Sequence, residues 1–260
     1  GLNNLGAVAP GYDADMIILQ DLKDFNALKV YKNGKLVSEY GKPLFDDKPT
    51  DYSTVTRTVN IKPVDKKDFE IRLDNDVVKV IKVMPGSILT RSVTRKVHTK
   101  DGVFQYHKDL DILKLCVIER HKATGNTAMG LVEDFQMKRG AIASTISHDS
   151  HNIIVIGRDD GDMMLAVEEV LKAKGGISIC CDGEVLETLP LPIAGLISSM
   201  PMEEVNGKLK AMMDTAYQQL GVNQNIDPFM TLAFLALPVI PELKLTDMGL
   251  FDVGAFEFTS

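Results

Sequence analysis

Cysteine is scarce in this sequence and poorly placed for cross-linking. There are three cysteines in 260 residues, two of them adjacent at Cys180 and Cys181, which excludes a disulfide framework and a Cys-x-x-Cys metal clip. All three lie in apolar runs, where a reduced thiol behaves as a small hydrophobe, so a reducing cytoplasm is the expected compartment. No apolar run reaches the length of a membrane-spanning helix, and the opening residues, Gly1 to Leu5, lack the basic and apolar regions of a secretory signal. Positive charge is also in deficit. Lys and Arg total 29 against 36 Asp and Glu, giving a net charge of −7 and a pI near 5.3, which argues against a nucleic-acid partner. With 20 glycines and 11 prolines there is no collagenous or low-complexity segment, and 45% hydrophobic with 25% charged residues excludes intrinsic disorder. No internal repeat is visible. The chain begins without methionine, in Gly- and Asn-rich turn chemistry, as expected of a cut inside a longer polypeptide.

What is present reads as α+β, long enough for two domains. Residues 1–50 read as short strands: the buried-type run Met16 to Leu19, then two strand-like runs flanking Asn33-Gly34, a hairpin turn. A piece this small needs further strands to complete its sheet. Residues 51–260 read as mixed α/β. Strands are expected at 69–73 by period-two alternation, at 77–83, 113–118, 141–146 and 153–156, and in a hairpin about Asp182-Gly183. A helix is expected over 162–174, on the stripe Met163, Val167, Val170 and Leu171, with Gly175-Gly176 as its stop. A longer helix is expected with Ser199 or Met200 as its cap, Pro201 in its first position and Gly221 as its stop, on the apolar stripe Val205, Leu209, Met212, Ala216 and Leu220. A third is expected to start at Asp227-Pro228.

Two polar concentrations stand out. Ser147-His148-Asp149-Ser150-His151-Asn152 sits between two strand candidates, where two imidazoles, a carboxylate, hydroxyls and an amide are costly to bury unless each finds a partner. Such a loop either aims polar groups at one spot or closes on itself as a hydrogen-bonded turn. A metal site there is disfavoured: His148 and His151 share no helical face, and no His-x-His or thiolate accompanies them. The second concentration, Glu119 to Asn126, follows a buried strand; Arg120 is suited to pairing with a carboxylate or stacking on a planar base, and His121 stands beside it. A solvated charged turn is the plainer reading. Neither a GxSxG elbow nor a phosphate-loop pattern occurs.

Several segments carry a resemblance. Residues 6–15 (GAVAPGYDAD) followed by an apolar run resemble the β segment after the barrel in amidohydrolases. Residues 117–121 (VIERH), 140–145 (GAIAST), 148–152 (HDSHN), 189–196 (LPLPIAGL), 227–232 (DPFMTL) and 235–247 (LALPVIPELKLTD) resemble, in order, the C-terminal region of bacterial adenine deaminases. The resemblance implies a fold in two parts. Residues 1–50 would be the closing strands of the amidohydrolase small β domain, and 51–260 the C-terminal α/β domain. It also implies a parent enzyme that hydrolyses adenine to hypoxanthine and ammonia in purine salvage, with manganese or iron at the mouth of a (β/α)₈ barrel. This sequence has neither His-x-His nor eight βα units, so no metal is expected on this chain alone. The implied partners are the absent barrel, adenine and further copies of the chain, with no nucleic acid or membrane. Candidate substrate-contacting or supporting residues are His148, Asp149, Ser150, His151, Asn152, Arg120 and His121. A packing and subunit-association domain, using the long helix and the Pro-rich segment 189–196, and a free-standing nucleobase-binding module are the alternatives.

Overall fold

A computed structural model of the chain describes residues 3–46 and 50–259. It divides into two compact units, Gly1–Asp51 and Tyr52–Ser260.

The first unit is one antiparallel sheet of β1 (Met16–Leu19), β2 (Ala27–Lys32), β3 (Lys35–Glu39) and β4 (Lys42–Pro43), paired in sequence order. Asn33 (φ 50°) and Gly34 (φ 73°) both take the left-handed conformation that a tight hairpin turn needs. The Asp15 carboxylate accepts the Asn33 N–H at 2.7 Å and pairs with Lys32, tying the turn to the entrance of β1. The run Met16 to Leu19 is a strand as expected, yet it is not buried: Ile17 and Ile18 are 62% and 47% exposed. A thin sheet of short strands has too little material to cover both of its faces.

The second unit is built on an eight-stranded sheet with helices on its faces. Its elements in chain order are β5 (Val77–Val83), β6 (Thr90–Lys96), β7 (His98–Lys100), β8 (Val103–Gln105), β9 (Ile112–Ile118), β10 (Thr127–Glu133), β11 (Ala141–Ser144), β12 (Ile153–Gly157), α1 (Asp160–Lys172), β13 (Gly176–Cys181), β14 (Glu184–Pro190), α2 (Met202–Gln218), α3 (Pro228–Phe234), β15 (Leu243–Thr246), β16 (Gly249–Asp252) and β17 (Glu257–Thr259). The sheet order is β14-β13-β11-β12-β9-β10-β5-β6, with β15-β16-β17 forming a small sheet and β7-β8 a hairpin. Among the described strands, β10 and β5 make a parallel pair; the other ladders are antiparallel. No closed barrel is formed by the described residues, and the architecture is α+β.

The central strand β9 is buried along its whole length, which explains its unbroken apolar run. Leu113, Leu115 and Val117 face a core closed by α2, α3 and β15, while Cys116 and Ile118 face a second core closed by α1. All three cysteines are free and buried. Helix α2 starts at Met202, one residue later than expected, with Pro201 rather than Ser199 or Met200 as its cap residue. It ends at Gln218, so Leu220 of the expected stripe lies past its end. Met212, Ala216 and Leu220 are buried, with Val205 and Leu209 packed at the margin. Asp227 caps α3 through the N–H groups of Phe229 and Met230, with Pro228 in the first turn.

Three further local expectations are corrected. The strand expected at 69–73 is instead the end of a 3₁₀ turn, Lys66–Phe69, followed by extended chain. Asp65 and Asp68 form a reciprocal capping box that closes this turn. Phe69 and Ile71 keep the alternation by burying their side chains, and what remains of the expected strand is an isolated antiparallel bridge between Arg72 and Val103 of β8. Helix α1 begins two residues earlier than expected, because Asp159 caps it through Gly161 and Asp162. At its other end Lys174 (φ 61°), not a glycine, takes the left-handed position, and Gly175 donates back to Val170 O at 2.8 Å. Strand β11 stops at Ser144, whose hydroxyl accepts the Ile146 N–H.

Candidate functional site

Both polar concentrations lie at the same end of the sheet, because antiparallel pairing brings the exit of β9 beside the entrance of β12 and the exit of β11. Loop 119–126 links β9 to β10, and loop 145–152 links β11 to β12. The segment after β14 and the chain at 52–64, which opens in a 3₁₀ turn at Ser53–Val55, border them, since Ala194 donates to Val55 O at 2.7 Å and Asn60 donates to Arg120 O at 2.8 Å.

Glu119 organises the first loop. Its carboxylate accepts the N–H groups of His121, Lys122 and Thr124 and the Thr124 hydroxyl, at 2.5 to 3.0 Å. Burial raises its pKa, but those hydrogen bonds outweigh burial and hold it at about 2. Arg120 turns inward and is 1% exposed. In place of a carboxylate or a planar base it meets three carbonyls: those of His151, of Thr58 at 3.2 Å and of Ala194 at 3.1 Å. His121 is exposed, and its Nε2 lies 2.7 Å from Ser150 O. A carbonyl can only accept, so Nε2 carries the proton.

In the second loop, Asp149 and Ser150 are exposed, His148 and His151 are half-buried, and Asn152 is buried. The His148 ring packs on Phe234 of α3 with centroids 4.6 Å apart and stands 5.9 Å from the His151 ring. His148 N–H donates to Ala233 O at 2.9 Å, fastening the loop to α3. His151 has φ 52°, and its Nδ1 is buried without a hydrogen-bond partner, as is Ser147 Oγ. Burial, then the neighbouring His148 and Arg120, pushes the His151 imidazole below its ordinary value, so this ring is neutral at pH 7. The Asn152 amide donates to Asp247 Oδ1 at 3.1 Å, and the Asn126 amide donates to Asp247 Oδ2 at 3.2 Å.

Sequence reading therefore finds the residues of this cluster but misses Asp247 and Thr58, which join it from distant segments. No local pattern marks either of them. It also misses a cleft of about 880 Å³ at the opposite end of the sheet, where Lys114, Arg139, Arg158 and Asp160 converge. Those charges are largely spent internally: Lys114 pairs with Asp160, Arg139 with Asp182, and Arg158 covers the Tyr106 ring at 4.1 Å.

Among the described residues, Asp162, Cys181 and Asp182 bring possible metal-ligand atoms within 4.8 Å of one another. Arg139 already donates to Cys181 Sγ at 2.9 Å and pairs with Asp182, and Asp162 accepts the N–H groups of Asp182 and Gly183. A guanidinium thus occupies the place a cation would take.

The molecule is thus an α+β domain with a mixed sheet, helices on both faces and a polar loop cluster at one sheet end, accompanied by a small antiparallel sheet unit. The family model described as the adenine deaminase C-terminal domain matches residues 87–257, and the chain belongs to that family. An adenine deaminase of Clostridium acetobutylicum is 50% identical over 258 residues, covering 99% of this chain and 45% of that protein. Adenine deaminase 2 of Carboxydothermus hydrogenoformans is 47% identical over 255 residues, covering 98% and 45%. An adenine deaminase of Nitratidesulfovibrio vulgaris is 45% identical over 260 residues, covering 100% and 45%. The chain spans somewhat under half the length of these curated relatives.

Proposed function

We propose that this chain is the C-terminal part of an adenine deaminase, which converts adenine and water to hypoxanthine and ammonia. The observation that carries this reading is identity of 45 to 50% along essentially the whole chain to proteins of that name. On the same reading, residues 1–50 are the closing strands of a small β domain; the exposed Ile17 and Ile18 on the unit's short sheet support that assignment.

A metal such as manganese or iron belongs to the reading, but the residues of this chain do not fit it. The converging ligand set among the described residues is filled by Arg139, and His148 and His151 do not join it. The metal is therefore assigned to a barrel outside these residues. The contribution assigned to this chain is the loop at 147–152, placed at the mouth of that barrel. An imidazole nitrogen can donate or accept a hydrogen bond, so His148 or His151 is suited to hydrogen-bonding a purine ring nitrogen or passing a proton to departing ammonia. Asp149, Ser150 and Asn152 hold that loop or meet the substrate beside it.

A cytoplasmic purine-salvage role and a homo-oligomeric assembly complete the proposal. No helix among the described residues is long and apolar enough to cross a membrane. The packing-domain alternative loses its Pro-rich surface, because Leu189, Leu191 and Ile193 are buried in the unit's own core.

The test is made in the full-length protein that carries this chain. His148→Ala and His151→Ala should each lower kcat/KM for hypoxanthine formation by about 10²- to 10⁴-fold, with melting temperature and metal content unchanged. Normal kcat/KM in both variants removes the loop from the active site, and no adenine turnover by the intact protein removes the reading itself.

A further inference from the structure

Three residues offer their carbonyls to Arg120, and two of them have an unusual backbone. His151 has φ 52° and Ala194 has φ 56°, a left-handed conformation that costs a residue with a side chain about 1 kcal/mol or more. Both carbonyls are spent on the same guanidinium, and the third comes from Thr58. These three segments are 31, 62 and 74 residues from Arg120 in sequence, so one side chain joins three pieces that no local hydrogen bonding could join. Gly195 supplies the space. It has φ 72°, and a β-carbon there would stand 2.8 Å from Arg120 Nη1 and 2.9 Å from Cζ, closer than carbon atoms approach.

A buried guanidinium commonly pairs with a carboxylate. Glu119, next in sequence, is turned away and engaged with the N–H groups of its own loop. A carboxylate would neutralise Arg120 but hold one segment; three carbonyls leave the charge in place and hold three.

We infer that Arg120 is a positioning residue: its guanidinium keeps His151 in the left-handed conformation and so aims the His151 ring, while Gly195 is required to admit that guanidinium. The inference rests on the proposed function only for its consequence in catalysis; the geometry of the clasp stands apart from it. The charged and titratable groups around His151 are His148, Arg120, Asp149 and His121. With the clasp loosened, the ring turns toward solvent and loses the burial that keeps it neutral.

The experiment is NMR on the full-length protein with labelled arginine and histidine. In the unmodified protein, Arg120 Nε–H should exchange with water slowly and show a nuclear Overhauser contact to His151; a rapidly exchanging Arg120 without that contact overturns the inference before any variant is made. Gly195→Ala and Arg120→Lys should each move the His151 titration midpoint upward toward 6.5, its ordinary value. Gly183→Ala serves as the control. It imposes similar backbone strain at φ 79°, but a β-carbon there meets nothing within 4 Å, so the His151 midpoint should stay in place. An unchanged midpoint in Gly195→Ala, or an equal rise in Gly183→Ala, overturns the inference. A changed midpoint with normal adenine turnover upholds the clasp and removes the loop from catalysis. A changed midpoint with kcat lowered about tenfold or more and KM little altered upholds both.

Discussion

The Asn152 amide reaches Asp247 across 95 residues of sequence, and the other oxygen of the same carboxylate accepts the Asn126 amide. One short turn between β15 and β16 thus fastens both polar loops, each by a single charge-assisted hydrogen bond. Asp247→Ala should lower stability by about 1–2 kcal/mol. Amide hydrogen exchange should quicken in both 119–126 and 147–152; quickening confined to the β15–β16 turn would show that the loops hold themselves.

Glu119 makes the fold sensitive to acid. Its folded-state pKa, about 2, lies below the ordinary 4.5, so its contribution is complete above pH 4.5 and is lost as pH falls toward 2. The unmodified protein should exceed Glu119→Gln in stability by on the order of 3 kcal/mol near neutral pH, and the gap should close on acidification. A gap independent of pH in denaturant titrations contradicts the assigned role.

Lys244 acts at the alkaline end. Its ammonium is fully buried and donates to Ile88 O and Phe234 O, both at 3.1 Å, and burial pushes its pKa down to about 8 from 10.5. The folded state releases this proton before the unfolded state does, so stability from this residue rises as pH climbs from 8 to 10.5 and is level on either side. The difference between the unmodified protein and Lys244→Met should grow in favour of the unmodified protein by on the order of 3 kcal/mol across that window. A flat difference would mean that the amine pays no cost for burial.

Local chemistry was readable wherever neighbouring residues settle the backbone. Asn33-Gly34 and Asp182-Gly183 turn as expected because left-handed φ is cheap in those residue types, and Asp227-Pro228 starts a helix through atoms two and three residues ahead. Failures came where a distant partner intervened. Strand β10 has no counterpart among the expected strands, and Gly130 at its centre is a residue that weakens a strand pattern. Its missing side chain instead admits Leu245, whose Cδ1 would lie 3.3 Å from an added β-carbon.

The same division runs through the candidate site. Sequence by itself determined that polar groups gather at 119–126 and 147–152 between apolar strands, since burial of those strands follows from side-chain type. It could not decide that Arg120 faces inward, that His151 is held neutral with Nδ1 unpaired, or that Asp247 links the loops. Those depend on which segments the antiparallel pairing of β9, β11 and β12 brings together. A guanidinium has the same five donors wherever it stands in a sequence; only the folded chain determines which carbonyls are within its reach.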